Sequence, residues 1–168
     1  MEKVSGAGDG YYWDASASSG ASVSSGDVYA QAQADRTDTY VQFGLGRTTS
    51  PNQNTIDFAV LLTDAGQVKV AEMDNIILGL GTYQPGDVFK VSVESGVVKY
   101  YKNGTLFYTS TISPTYPLYY NAVIADMGGR ILNALNDEMW GIVFDAFQRT
   151  GKLLDPPARG RDAYWATK

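Results

Sequence analysis

The chain has 168 residues, 44% of them hydrophobic and 18% charged, and a net charge of −5. It has no cysteine and no histidine, which removes disulfides, thiolate metal sites and the usual general base of a Ser or Cys triad. The acidic balance and the lack of a basic patch disfavour nucleic acid, and no run of about 18 apolar residues is present to span a membrane.

In chain order, residues Met1–Gly26 are rich in Gly, Ser and Ala around an aromatic knot at Tyr11, Tyr12 and Trp13. They read as a loop, a first strand through Trp13 and a small-residue turn. The opening MEKVSGAGDG lacks an apolar h-region and is not expected to be a signal peptide. Val28–Ala34 alternates Val28, Ala30, Ala32 and Ala34 against Tyr29, Gln31 and Gln33, which predicts a strand. Tyr40–Leu45 puts Val41, Phe43 and Leu45 on one side. Ile56–Leu62 is apolar throughout, as a central strand requires. Asp64-Ala65-Gly66 turns the chain into Gln67–Glu72. Asp74–Tyr83 is a loop or a bulged strand, because Gly79 and Gly81 interrupt it.

The stretch Val88–Ser110 predicts three strands joined by two-residue turns at Ser95-Gly96 and Asn103-Gly104. That register sets Val93 opposite Val98, Val91 opposite Tyr100, and Tyr100 opposite Phe107. Phe89, Val91, Val93, Val98, Tyr100 and Phe107 then share a core face. Lys90, Ser92, Glu94, Lys99, Tyr101, Leu106 and Tyr108 share the outer one. Asn103-Gly104-Thr105 is also a glycosylation sequon, but the turn alone explains its asparagine. Further strands are expected near Tyr119–Ala125 and over Ile131–Ala134. From Asn136 the pattern changes. Asn136 fits an N-cap, Trp140, Val143, Phe144 and Phe147 follow helical spacing, and Gly151 fits the C-terminal stop. Trp140, Ile142 and Phe144 also alternate as a strand would; the helix is the favoured reading. Leu153–Lys168 reads as an extended arm that starts at Asp155-Pro156-Pro157 and closes with Tyr164 and Trp165.

The run YQPGDVFKVSVESGVVKYYKNGTLFYTS, followed by YPL and GGRILNA, resembles the concanavalin A-like lectin/glucanase superfamily, in particular its laminin G-like and SPRY-like bacterial modules. Trp13-Asp14-Ala15 and Ile56-Asp57-Phe58-Ala59 add to the likeness. It implies an all-β fold, an antiparallel two-sheet jelly-roll sandwich over residues 1–134. Residues 135–168 would add the helix and arm. Fold does not by itself give function.

The glucanases of that superfamily carry Glu-x-Asp-x-x-Glu on one strand. Here Glu72-Met73-Asp74 starts such a run, but Ile77 stands in place of the second Glu. With the four glutamates otherwise scattered, no enzymatic activity is expected. Sugar binding needs an aromatic platform beside planar polar groups. The candidate ligand-binding residues are Tyr101, Tyr108 and Lys99 on the outer strand face, with Tyr116 and Tyr119 near the Pro-rich loop. No cofactor is expected. Any metal would be an oxygen-ligated ion such as calcium, with Asp35 and Asp38 or Asp9 and Asp14 as ligands. Trp140, Phe144, Phe147, Tyr164 and Trp165 are the candidate assembly interface. Two functions follow as expectations: a module binding glycan or another cell-surface ligand in attachment, or a structural subunit of a virion, tail or extracellular filament that self-associates or docks through its C-terminal segment.

Overall fold

The structure is a computed structural model, and it describes residues 1–6, 12–136 and 151–152. Its strands in chain order are β1 (Glu2–Lys3), β2 (Ala15–Ser18), β3 (Val28–Ala34), β4 (Val41–Gly46), β5 (Phe58–Leu62), β6 (Gln67–Glu72), β7 (Asn75–Thr82), β8 (Val88–Glu94), β9 (Val97–Lys102), β10 (Thr105–Thr109), β11 (Tyr119–Ile124), β12 (Ile131–Asn136) and β13 (Gly151–Lys152). They form a five-stranded sheet in the order β10-β9-β8-β3-β12 and a six-stranded sheet in the order β2-β11-β4-β5-β6-β7. Neighbouring strands are antiparallel throughout. The two sheets close on one core, giving the all-β sandwich that the strand pattern predicts.

Alternation decides what each strand sends inward. Ala30, Ala32 and Ala34 of β3 are buried, while Tyr29, Gln31 and Gln33 between them are only half-buried. The small alanines leave room for large rings from the opposite sheet. Phe43 of β4 stacks on Tyr120 of β11 at 6.2 Å, and the Tyr120 hydroxyl donates to the Gln31 carbonyl in β3. Two further buried phenols find partners, as buried hydroxyls must. Tyr83 lies within 3.1 Å of the Arg36 and Thr63 carbonyls. Tyr100 of β9 donates to the buried Glu72 of β6 at 2.9 Å, a polar bridge between the sheets. Burial pushes the Tyr83 hydroxyl up to about 12 and raises Tyr100 further still.

A second, smaller apolar cluster lies outside the sandwich. Ile56 and the half-buried Trp13 pack against Ala59, Ala71 and Val123, which project from the outer face of the six-stranded sheet. Gln42 on the same face donates to the Gln53 carbonyl, and Asp57 holds Arg47 at 2.7 Å. The segment from Arg47 to Asp57 therefore covers the middle of that face.

Several expectations need correction. The first long-sheet strand begins after Trp13, whose ring turns edge-on to Tyr40 at 6.1 Å instead of entering the ladder. The Val88–Ser110 meander has both two-residue turns, with positive φ at Ser95, Gly96, Asn103 and Gly104. Val93 faces Val98 and Val91 faces Tyr100 as expected. A bulge between Leu106 and Tyr108 then shifts β10, so that Tyr108 rather than Phe107 stands opposite Tyr100. Asn136 does not cap a helix. It pairs with Ala30 as the last residue of β12, because the ladder satisfies its backbone. Gly151 is likewise in β13, opposite Lys3 of β1. No helix occurs among the described residues. The remainder of the expected helix and the arm, with Trp140, Phe144, Phe147, Tyr164 and Trp165, lies outside them.

Candidate functional site

The outer face of the five-stranded sheet brings chemistry together from three strands. The register places Tyr101 of β9 opposite Lys90 of β8, and Lys90 opposite Gln31 of β3. One step along, Lys99 stands opposite Ser92, and Ser92 opposite Tyr29. Residues in register point to the same side, so Tyr29, Gln31, Lys90, Ser92, Glu94, Lys99 and Tyr101 form one surface.

Its centre is Glu94. Its carboxylate accepts from Lys99 at 2.9 Å, from the Ser92 hydroxyl at 2.8 Å and from the Tyr101 hydroxyl at 2.9 Å. The Lys99 ammonium, helped by the two hydroxyls, holds this carboxyl far below the usual range, at about 2, although partial burial opposes it. The same contact raises Lys99. Tyr101 is raised by burial first and by Glu94 second. The Lys90 ammonium lies 4.4 Å from the Tyr101 ring centre and 5.9 Å from that of Tyr29, within cation–π reach of both. Two half-buried phenol rings thus flank one lysine, with a fixed negative charge beside them.

Of the expected ligand-binding residues, the fold gathers only Tyr101 and Lys99. Tyr108 turns to the core side, its ring 5.5 Å from Tyr100, because the bulge reverses its direction; the expected outward pair of Tyr101 and Tyr108 does not exist. Tyr116 donates its hydroxyl to the Gly26 carbonyl, beside a loop. Tyr119 starts β11 opposite Gly46, in the other sheet. Sequence reasoning missed Tyr29 as a member of the site. Its alternation against the alanines signals an outward direction, but its neighbours depend on β3 pairing with β8 some sixty residues away.

The expected calcium carboxylates are spread out. Asp38 pairs with Arg36, Asp35 with Arg130 at 3.8 Å, and Asp14 with the buried Lys3; Asp9 lies outside the described residues. Among the described residues no three acidic groups gather as a metal site, and no helix is long and apolar enough to cross a membrane.

No protein-family model and no curated protein matches the chain. Solved structures do match. An alginate lyase of polysaccharide lyase family 7, AlgAT5, is 17% identical with a TM-score of 0.49, over 73% of this chain and 62% of the lyase. This chain therefore spans less than two thirds of that enzyme. A toad ovary galectin solved with thio-digalactose is 10% identical with a TM-score of 0.46, over 74% of this chain and 99% of the galectin. A variant of human galectin-16 is 16% identical with a TM-score of 0.43, over 70% and 92%. At these identities the likeness is one of fold. It corrects the expectation that the chain is not an enzyme: a lyase is among its neighbours, and the missing Glu-x-Asp-x-x-Glu run bears on one hydrolytic mechanism only. Two antiparallel sheets in this strand order, shared with galectins and a polysaccharide lyase, are the jelly-roll fold of the concanavalin A-like lectin/glucanase superfamily.

Proposed function

We propose that the chain is a carbohydrate-recognition module whose ligand lies across the outer face of the five-stranded sheet, and that it serves attachment to glycan-bearing surfaces. The observation that carries this reading is the pair of phenol rings, Tyr29 and Tyr101, on either side of Lys90. A pyranose presents a C–H face to an aromatic ring and hydroxyls at its rim. Glu94 supplies an acceptor beside the Tyr101 ring, and Lys99, Ser92 and Gln31 supply further hydrogen-bonding groups. Lys90 now covers Tyr101. An exposed cation–π contact is worth about 0.5–1 kcal/mol, so a sugar ring can displace the ammonium and take it as a hydrogen-bond donor. The surface is open and nearly flat, which suits a few residues of a chain better than an enclosed small molecule. The platform would hold a glycan whether or not a bond in it is then broken.

Titration of the full chain with a panel of oligosaccharides tests this. Tyr101→Ala and Tyr29→Ala are each expected to weaken binding at least tenfold while the thermal midpoint stays near that of the parent. Binding that persists undiminished in the double variant would overturn the proposed platform.

A further inference from the structure

The free edge of the six-stranded sheet is unlike the other edges. β7 is the longest strand, at eight residues, and its sequence NIILGLGT contains no charge and no proline. Ile76 and Ile77 are 56% and 40% exposed, among the most exposed large apolar residues described. Natural sheets guard such edges with charges, prolines, short strands or covers. β2, at the opposite edge, has only four residues. β10 carries the bulge at Leu106–Tyr108, and β12 is flanked by the Glu2–Arg130 bridge. β7 has two register shifts against β6, which bend it, but nothing polar in it discourages a partner.

Two charges beside this edge complement each other under a two-fold axis. Asp74 is exposed at the start of β7. Lys69 on β6 stands opposite Gly79, towards the other end of β7, and among the described residues it has no carboxylate partner. Gln67, Lys69, Gly79 and Gly81 line an open trough of about 210 Å³ there. A Cβ at either glycine would meet nothing within 4 Å, so backbone and lysine are both accessible from the edge. Antiparallel pairing of β7 with a second β7 sets the beginning of each strand against the end of the other. It therefore brings Asp74 of each copy towards the trough and Lys69 of its mate.

The geometry points to an isologous homodimer in which β7 pairs with β7 of a second copy, making one twelve-stranded sheet of two six-stranded ones. The uncharged strand places no like charges opposite each other, and Ile76 and Ile77 leave water at the seam. Because two bulges shorten the regular ladder, the association is reversible and depends on concentration.

Sedimentation equilibrium of the full chain from low micromolar to millimolar concentration tests this. The expected result is a shift from the mass of one chain to that of two. Ile77→Lys is expected to move that transition at least tenfold higher in concentration. Should Ile77→Lys fail to fold, by far-UV circular dichroism, the charges decide. Asp74→Lys and Lys69→Asp should each weaken the dimer, and both changes in one chain should restore it. A single-chain mass at every concentration overturns the proposal, as does a dimer indifferent to all of these substitutions.

Discussion

Glu94 shows how one side chain sets the character of a surface. Its carboxyl is held at about 2 against an ordinary 4.5. A depressed acid stabilises the fold fully above its unfolded value, and that contribution is lost as pH falls from about 4.5 through 2. Glu94→Gln is therefore expected to lower the thermal midpoint at pH 7, with the gap to the parent closing between pH 4.5 and 2; melts across that range check it. Asn103 works at the same scale. It sits at φ 50° in its turn, its side-chain oxygen accepts from the Val88 amide at 2.8 Å, and its amide donates to Asp87 at 2.8 Å. Asn103→Ala gives up both bonds and leaves a β-carbon in the left-handed region, a loss of about 2 kcal/mol to be read by denaturant unfolding. The structural reading of the sequon thus has a physical basis in those two bonds. The two hairpin turns were legible in the sequence because Asn-Gly and Ser-Gly state their own backbone geometry. The bulge at Phe107 was not, since Leu106, Phe107 and Tyr108 are all large and either alternation would bury a ring.

At the scale of elements, strands with strict alternation were read within a residue or two. β3 and β8 are examples, their inward residues named correctly by period alone. β7 was left between loop and bulged strand, and Gly79 and Gly81 do mark its irregular half. The helical signal after Asn136 lost at its first residue. A capping preference is worth about 1 kcal/mol, less than the ladder that carries β12 two residues beyond Ala134. The alanine stripe of β3 is the element on which the core closes. Ala30 is fully buried in the ladder between Val91 and Asn136. Ala30→Leu is expected to destabilise by about 1–3 kcal/mol through overpacking, whereas Gln31→Leu on the same strand's outer face should change stability by less than about 1 kcal/mol. Paired chemical denaturation curves distinguish them.

For the whole molecule, the sandwich followed from counting short alternating strands, but the ligand face did not. Tyr29, Lys90 and Tyr101 come from strands that pair over long separations, and local pattern carries no record of such pairings. The fold also brings two lysines, Lys90 and Lys99, around a single Glu94 on a chain whose total charge is −5. The candidate surface is thus locally less acidic than the chain that bears it, which lowers the repulsion felt by any anionic group on an approaching ligand. The cover over the opposite sheet has a corresponding effect. With Ile56 and Trp13 seated on Ala59, Ala71 and Val123, the hollow of the larger sheet is already occupied by the protein's own side chains. A visitor there would have to evict a resident, and trimming that connector would trade a sealed back wall for a greasy basin.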